Sequence, residues 1–193
     1  MSPGADAPKV AGGWKVVNPP TMVDGHFVGG SGLSAWSNFF LGELGAAAAL
    51  AGLLFVSVSV NQARILSLGR MADRGLEALV MLFLVIVVAS LPLVPGQPER
   101  WLGAEIFTIS GATFVWLIPL QNGYLRLIEP DYRNASARMI WFNRLAMAVI
   151  GVGGLALAIL GQERALYILP LGILLVFGAA GANAWVLLIE INR

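Results

Sequence analysis

Five long apolar runs limit what this chain can fold into more than any other feature of the sequence. They cover residues 39–60, 76–95, 101–120, 139–160 and 165–189. About 20 apolar residues in a helix cross a hydrocarbon core about 30 Å thick, and lipid leaves only helices or closed barrels as spanning structures. Because each run is nearly continuous in apolar residues, the sequence predicts an all-α integral membrane protein with a bundle of five transmembrane helices.

The composition supports a membrane location and excludes several classes of function. Of the 193 residues, 58% are hydrophobic and 12% are charged, against about 45–50% apolar and about 25% charged in soluble domains. The net charge is +1, so the chain has no basic field that would hold nucleic acid. It has no cysteine, which removes disulfides, thiolate metal sites and cysteine nucleophiles. We therefore expect the lipid bilayer as a partner and no nucleic acid.

Residues 1–38 precede the first run and are rich in glycine and proline, so we predict an extended tail there. The tail lacks a basic segment followed by an apolar stretch, and we expect it to persist in the mature protein. Such a segment buries too little apolar surface to become ordered alone. We expect it to dock on a partner through its larger apolar residues, which are Trp14, Val16, Val17, Phe27 and Val28.

The distribution of basic residues predicts the orientation in the membrane. One side of the predicted bundle carries Arg64, Arg70, Arg74, Arg126, Arg133, Arg138, Arg144 and Arg193. The other side carries Arg100 and Arg164, with Lys9 and Lys15 in the tail. Cytoplasmic loops are enriched in Lys and Arg. We therefore expect the N-terminal tail outside and the C-terminus in the cytoplasm.

Small residues in two of the runs predict close helix contacts, because in lipid they allow helix backbones to approach one another. Gly45, Ala49 and Gly52 share one face of the first run, and Gly178 and Ala182 lie four residues apart in the fifth. Two interpretations are open. We favour packing within the bundle, and the alternative is an interface between subunits.

Ionisable residues inside a span are costly and mark candidate functional positions. Glu43 shares a helical stripe with Ser57, Asn61 and Arg64. The stripe could line a wet crevice or, as we favour, pack against the third helix. There Glu105 would be a neighbour of Glu43, and two such carboxylates could share a proton or bind a cation.

Two further polar features fall near the predicted inner ends of the spans. Glu77 begins the second run, where we expect it to snorkel or to pair with another residue near the membrane interface. Pro119 interrupts the third run and removes one backbone donor. We expect the helix to continue past this proline as a cytoplasmic extension, as far as about Ile128.

The residue inventory offers little chemistry. The only histidine is His26, in the tail, so histidine ligation of haem or pigment within the spans and histidine-containing catalytic triads are excluded. No phosphate-binding loop, G-x-S-x-G or H-E-x-x-H motif occurs. We predict no enzymatic activity, no metal site and no cofactor. A bound lipid, or a pigment held without histidine, stays open because apolar grooves leave no mark in a sequence.

The first two runs carry a resemblance. Residues 42–98 read GELGAAAALAGLLFVSVSVNQARILSLG and then RMADRGLEALVMLFLVIVVASLPLVPGQP. An alanine-glycine first helix, a short arginine-containing loop and a V-P-G-Q-P exit make this stretch resemble small bacterial multi-pass inner-membrane proteins of unassigned function. Some of these are labelled modulators of the FtsH protease. The resemblance implies a bacterial inner-membrane location and assigns no residue a role.

These observations favour a non-catalytic accessory or assembly subunit of a larger membrane complex. We expect it to dock through its small-residue helix faces and its tail, onto other membrane subunits or copies of itself. The alternative is a homo-oligomeric ion channel or small transporter. In that case Glu43, Ser57, Asn61 and Arg64 would line the path.

Overall fold

A computed structural model describes residues 22–23, 26–27, 33–62, 65, 70–128 and 130–191. Five long helices account for most of this part of the chain. They are α1 (Leu33–Val60), α2 (Arg70–Ser90), α3 (Glu99–Arg126), α4 (Pro130–Leu160) and α5 (Ile168–Ile191). All five are long and apolar enough to cross a membrane. The predicted all-α, five-helix membrane bundle is confirmed.

The described part of the N-terminal unit, residues 1–31, is a small hairpin. Strand β1 (Met22–Val23) pairs antiparallel with β2 (His26–Phe27), with Met22 opposite Phe27 and Val23 opposite His26. Phe27, one of the predicted docking residues, therefore belongs to a strand. The other four, Trp14, Val16, Val17 and Val28, lie outside the described residues.

The first helix begins at Leu33, earlier than the predicted boundary at residue 39. Aromatic packing accounts for the additional turns. The Trp36 ring lies 5.9 Å from that of Phe39 and 4.8 Å from that of Tyr167, which precedes α5. Because these contacts bury the apolar side of the extra turns, residues 33–38 belong to the helix.

Four of the helices form a closed ring of neighbours. Helix α2 packs against α3, α3 against α4, α4 against α5, and α5 against α2. The main core lies inside this ring and includes Met81, Leu102, Ile106, Met147 and Ile173. Helix α1 lies outside the ring, where it packs mainly against α2.

Glycines set the closest approaches between helices in the ring. A Cβ atom on Gly103 would lie 2.3 Å from the backbone nitrogen of Ala158, and one on Gly154 would lie 2.7 Å from that of Phe107. These two glycines bring α3 and α4 into backbone contact. Gly172 does the same between α5 and α4, since its Cβ would lie 2.9 Å from the backbone nitrogen of Ile150.

None of the three glycines chosen from the sequence sets such a close approach, although a Cβ atom on Gly178 would lie 4.0 Å from the side chain of Phe142. Gly45, Ala49 and Gly52 of α1 are exposed, as are Gly178 and Ala182 of α5. Within the described part of the chain, no atom of a neighbouring helix lies within 4 Å of a Cβ built on Gly45 or Gly52. Helical spacing identifies residues that share a face, but it does not say which face turns inward. The inward face of α1 consists of Phe40, Ala47, Ala51 and Leu54.

The prediction that the third helix continues past its proline is confirmed. Helix α3 contains Pro119 and runs on to Arg126. This extension carries Gln121 and Tyr124 into the bundle, where both are buried.

Candidate functional site

The most polar buried arrangement in the described chain lies where α2, α3 and α4 meet at one end of the bundle. Glu77 of α2, Gln121 and Tyr124 of α3, and Asn143 of α4 are at most 2% exposed. We call these four residues the Glu77 cluster.

Three side chains donate hydrogen bonds to the Glu77 carboxylate. Gln121 Nε2 lies 2.6 Å from Oε1, Asn143 Nδ2 lies 2.8 Å from the same oxygen, and the Tyr124 hydroxyl lies 2.7 Å from Oε2. All three donors are neutral groups, and they come from two different helices. The carboxylate therefore ties α2 to both α3 and α4 through its hydrogen bonds.

Two arginines contact the partners of Glu77. Arg144 Nε donates to Gln121 Oε1 at 2.7 Å, and its Nη2 donates to Asn122 Oδ1 at 3.0 Å. The Arg74 guanidinium lies 5.7 Å from the centre of the Tyr124 ring, and its Nη2 donates to Ser136 Oγ at 2.8 Å. Both cations therefore hold the residues that in turn hold the carboxylate.

Helical spacing explains how the sequence brings these groups together. Arg74 and Glu77 are three residues apart in α2, as are Gln121 and Tyr124 in α3, so each pair shares one face of its helix. Asn143 and Arg144 are consecutive, so their side chains diverge by about 100° around α4. This divergence lets Asn143 reach the buried carboxylate while Arg144 reaches the outer side of α3.

The Glu77 cluster can hold three helices together through its hydrogen bonds. The Asn143 amide turns its nitrogen toward the carboxylate, and its buried Oδ1 has no hydrogen-bond partner among the described residues. A buried donor left without an acceptor costs more than a hydrogen bond that is made. The orientation of this amide therefore favours the contact with Glu77.

Of the two expectations for Glu77, the structure shows pairing and not snorkelling, because its side chain is fully buried and accepts three hydrogen bonds. A signal for the cluster was present in the sequence. Glu77, Gln121, Tyr124 and Asn143 all fall near the same predicted end of their spans. Polar residues at matched depth on three helices are candidates for one another's hydrogen-bond partners, since lipid offers none.

The polar residues predicted on the first and third spans are not brought together. Glu105 Oε2 accepts a hydrogen bond from Gln97 at 2.6 Å, so its partner comes from the turn before its own helix. Glu43 is half-buried and accepts no hydrogen bond from the described side chains. Asn61 Nδ2 donates to the backbone oxygen of Ser57 at 3.0 Å, within the same chain segment.

The fourth member of that predicted stripe, Arg64, lies outside the described residues. The stripe itself runs along the edge of the side of α1 that packs on α2, since Glu43 and Ser57 are half-buried. A lining for a path between copies of the chain would need these residues on the free side of the helix.

The free side of α1 is formed by small residues. Gly42, Gly45, Ala49 and Gly52 are all exposed and lie opposite the inward side of the helix. We call these four residues the outer face of α1. Among the residues that the structure describes, no atom of another helix lies within 4 Å of a Cβ built on any of its three glycines.

Comparison with known proteins adds no relative to this description. No protein-family model, curated protein or solved structure matches the chain. The resemblance of residues 42–98 to small bacterial inner-membrane proteins stays a prediction.

Proposed function

We propose that this chain is a non-catalytic subunit of a larger membrane complex, and that it docks through the outer face of α1. The proposal rests on one observation. Gly42, Gly45, Ala49 and Gly52 are exposed, and these small residues permit close packing against another helix. In lipid, helix association depends on close packing of backbones, and small residues permit it. Small side chains also lose little rotamer freedom when they become buried.

The position of α1 supports this assignment. Helix α1 lies outside the ring of α2 to α5, so its side opposite α2 has no neighbour in the described chain. Leu41 and Leu53, which are 60% and 69% exposed, flank the outer face. The face is therefore a shallow channel between larger side chains, a shape that accepts one helix of another protein.

The surroundings of the complex follow from the charge pattern and the resemblance. We place the subunit in a bacterial inner membrane, with the N-terminal tail outside and the C-terminus in the cytoplasm. The tail, through residues such as Phe27, is the second element proposed to contact a partner.

Single-cysteine cross-linking tests the docking face directly, because the chain has no cysteine of its own. The variants Gly45→Cys and Gly52→Cys place a thiol on the outer face of α1. Leu171→Cys, at an exposed position of α5, is the matched control. In native membranes, a maleimide photo-cross-linker should join both outer-face variants to the same foreign polypeptide and leave the control unlinked.

A second pair of variants tests whether the face is needed for assembly. Gly45→Leu fills the outer face of α1, whereas Gly181→Leu adds the same side chain at an exposed glycine of α5 with nothing within 4 Å. Gly123→Leu, at an exposed glycine of α3 with nothing within 4 Å, is a second control away from both small-residue faces, and we expect Gly45→Leu but not Gly123→Leu to release the foreign subunit during purification in mild detergent. Cross-links between identical chains alone would contradict the proposal and favour a homo-oligomer. Ion flux with Glu43→Gln would then test the channel alternative.

A further inference from the structure

A groove on the membrane-facing side of α3 and α4 has the shape of a binding site for a hydrocarbon chain. It has a volume of about 190 Å³, larger than the ~150 Å³ apolar cavity known to take up benzene. Its walls include Phe107, Gly111 and Phe114 of α3 and Ala148, Gly151 and Leu155 of α4. The small residues at 111, 148 and 151 form its floor between larger side chains.

The groove offers no free polar group to a ligand. Ser110 is the one hydroxyl residue in its lining, and Ser110 Oγ donates to the backbone oxygen of Ile106 at 2.7 Å within α3. An occupant of the groove is therefore apolar along this part of its length.

Both helices that form the walls of the groove continue toward an end that contains arginine residues. On α3, Phe114 is followed at intervals of four residues by Ile118, Asn122 and Arg126, and the direction around the helix turns by about 40° at each step. On α4, steps of three or four residues lead from Gly151 through Ala148 to Arg144. The hydrogen bond of 3.0 Å between Arg144 Nη2 and Asn122 Oδ1 joins the two walls at this end.

The Arg144 guanidinium is held in place with donors to spare. Its bonds to Gln121 and Asn122 use two N–H groups of the five that a guanidinium carries. The Trp141 ring centre lies 5.9 Å from the guanidinium, and this tryptophan is 68% exposed, as is typical of the membrane interface. Arg126 is exposed on α3, four residues beyond Asn122.

No acidic side chain of α4 neutralises this end. The nearest one along that helix is Asp131, which is more than three turns from Arg144. Glu77 lies on the inner side, where the hydrogen bonds of the Glu77 cluster satisfy it. Residues 107–126 of α3 and 132–160 of α4 contain no acidic side chain, so basic residues predominate along these two segments.

We propose that an anionic phospholipid binds along this groove, with its phosphate on Arg144 and Arg126 and one acyl chain between α3 and α4. Arginine binds phosphate in a bidentate geometry, which matches the charge at this end. Gly151 lies seven residues from Arg144, a rise of about 10 Å along the helix. This length fits within one leaflet of a hydrocarbon core about 30 Å thick.

Lipid-dependent thermal stability of the purified full chain tests the proposal. Phosphatidylglycerol should raise Tm in a saturable way, and phosphatidylcholine with the same acyl chains should raise it much less. Native mass spectrometry should show one retained phosphatidylglycerol. Arg126→Gln, which breaks no hydrogen bond between described residues, should weaken its binding about tenfold, as expected for loss of a charge-assisted bond.

Two further variants separate the groove from a diffuse charge effect. Gly111→Leu fills the groove at a position with nothing within 4 Å of the added Cβ, and it should also abolish the retained lipid. Arg138→Gln removes an exposed arginine from another face of α4 and should leave binding unchanged.

Three outcomes would overturn the proposal. Equal stabilisation by the two phospholipids would show that the headgroup is not recognised. The same Tm rise with inorganic phosphate alone would assign the site to a free anion. Equal losses with Arg126→Gln and Arg138→Gln would reduce the effect to general attraction of anionic lipid.

Discussion

Burial of the Glu77 carboxyl group costs this fold free energy at a single residue. An ionisable group inside a membrane bundle is expensive unless its hydrogen bonds are made. Here Gln121, Tyr124 and Asn143 make them, and each donor would itself be buried and unsatisfied without the carboxylate. The cluster therefore stabilises the bundle as a unit.

Replacement of Glu77 should destabilise the bundle more than any single change to its donors. Glu77→Ala leaves three buried donors unpaired, and we expect a loss of about 3 kcal/mol in the free energy of unfolding in detergent. Glu77→Gln keeps one acceptor oxygen and should lose clearly less. Thermal melting of both variants checks the order. Equal Tm values for wild type and Glu77→Ala would contradict the role of the cluster.

Removal of one donor gives a smaller, matched test. Tyr124→Phe keeps the ring under Arg74 but deletes the hydroxyl that binds Glu77 Oε2. We expect a loss of about 1 kcal/mol in the free energy of unfolding. Tyr167→Phe deletes a hydroxyl from a tyrosine that is 70% exposed and should leave stability unchanged. Identical shifts in the two variants would argue against a specific bond.

Sequence reasoning identified Glu77 as a polar residue near the end of a span, but it did not identify the three residues that bind it. Glu77 and Gln121 each fall near a predicted span end, where water is a plausible partner for any polar group. The deciding fact is the helix neighbours, because α2, α3 and α4 pack together at that end. A list of apolar runs contains no information about which helices are neighbours.

At the scale of the helices, hydropathy predicted the lengths and positions of the helices well. It did not predict which face of each helix contacts its neighbours. Every predicted run lies largely within one of the five long helices, since apolar length alone decides whether a helix can span. Small residues are present both on tight crossings, as at Gly103, and on a free surface, as at Gly45. Composition alone does not distinguish these two uses.

At the crossing of α3 and α4, we expect a steric clash when Gly103 is replaced and none when Gly111 is replaced. Gly103→Ala places a methyl group 2.3 Å from the backbone nitrogen of Ala158, so the helices must separate. We expect a loss of about 1–3 kcal/mol, the range for overpacked cores. Gly111→Ala, on the same helix with nothing within 4 Å, should be neutral or slightly stabilising. Thermal melting of the two variants in detergent gives the comparison.

At the scale of the whole molecule, the chain separates into two parts with different roles. The ring of α2 to α5 contains the tight glycine crossings and the Glu77 cluster, both of which fix its internal packing. Helix α1 adds a free face to the outside of this ring. Phe40 and Ala47 of α1 still belong to the main core, so α1 is packed against the ring by one side.

The five candidate spans of the described chain place the start of α1 and the end of α5 on opposite sides of the membrane. The arginine distribution predicts which of these two sides is the cytoplasmic one. The turn between α2 and α3 should face outward, and the start of α4 should face the cytoplasm. Because the chain has no cysteine, Pro95→Cys and Asn134→Cys, both at exposed positions, report these two sides without background. A membrane-impermeant maleimide should label Pro95→Cys in spheroplasts and Asn134→Cys only after permeabilisation. The reverse pattern would invert the topology and move the cationic end of the α3/α4 groove to the outer leaflet.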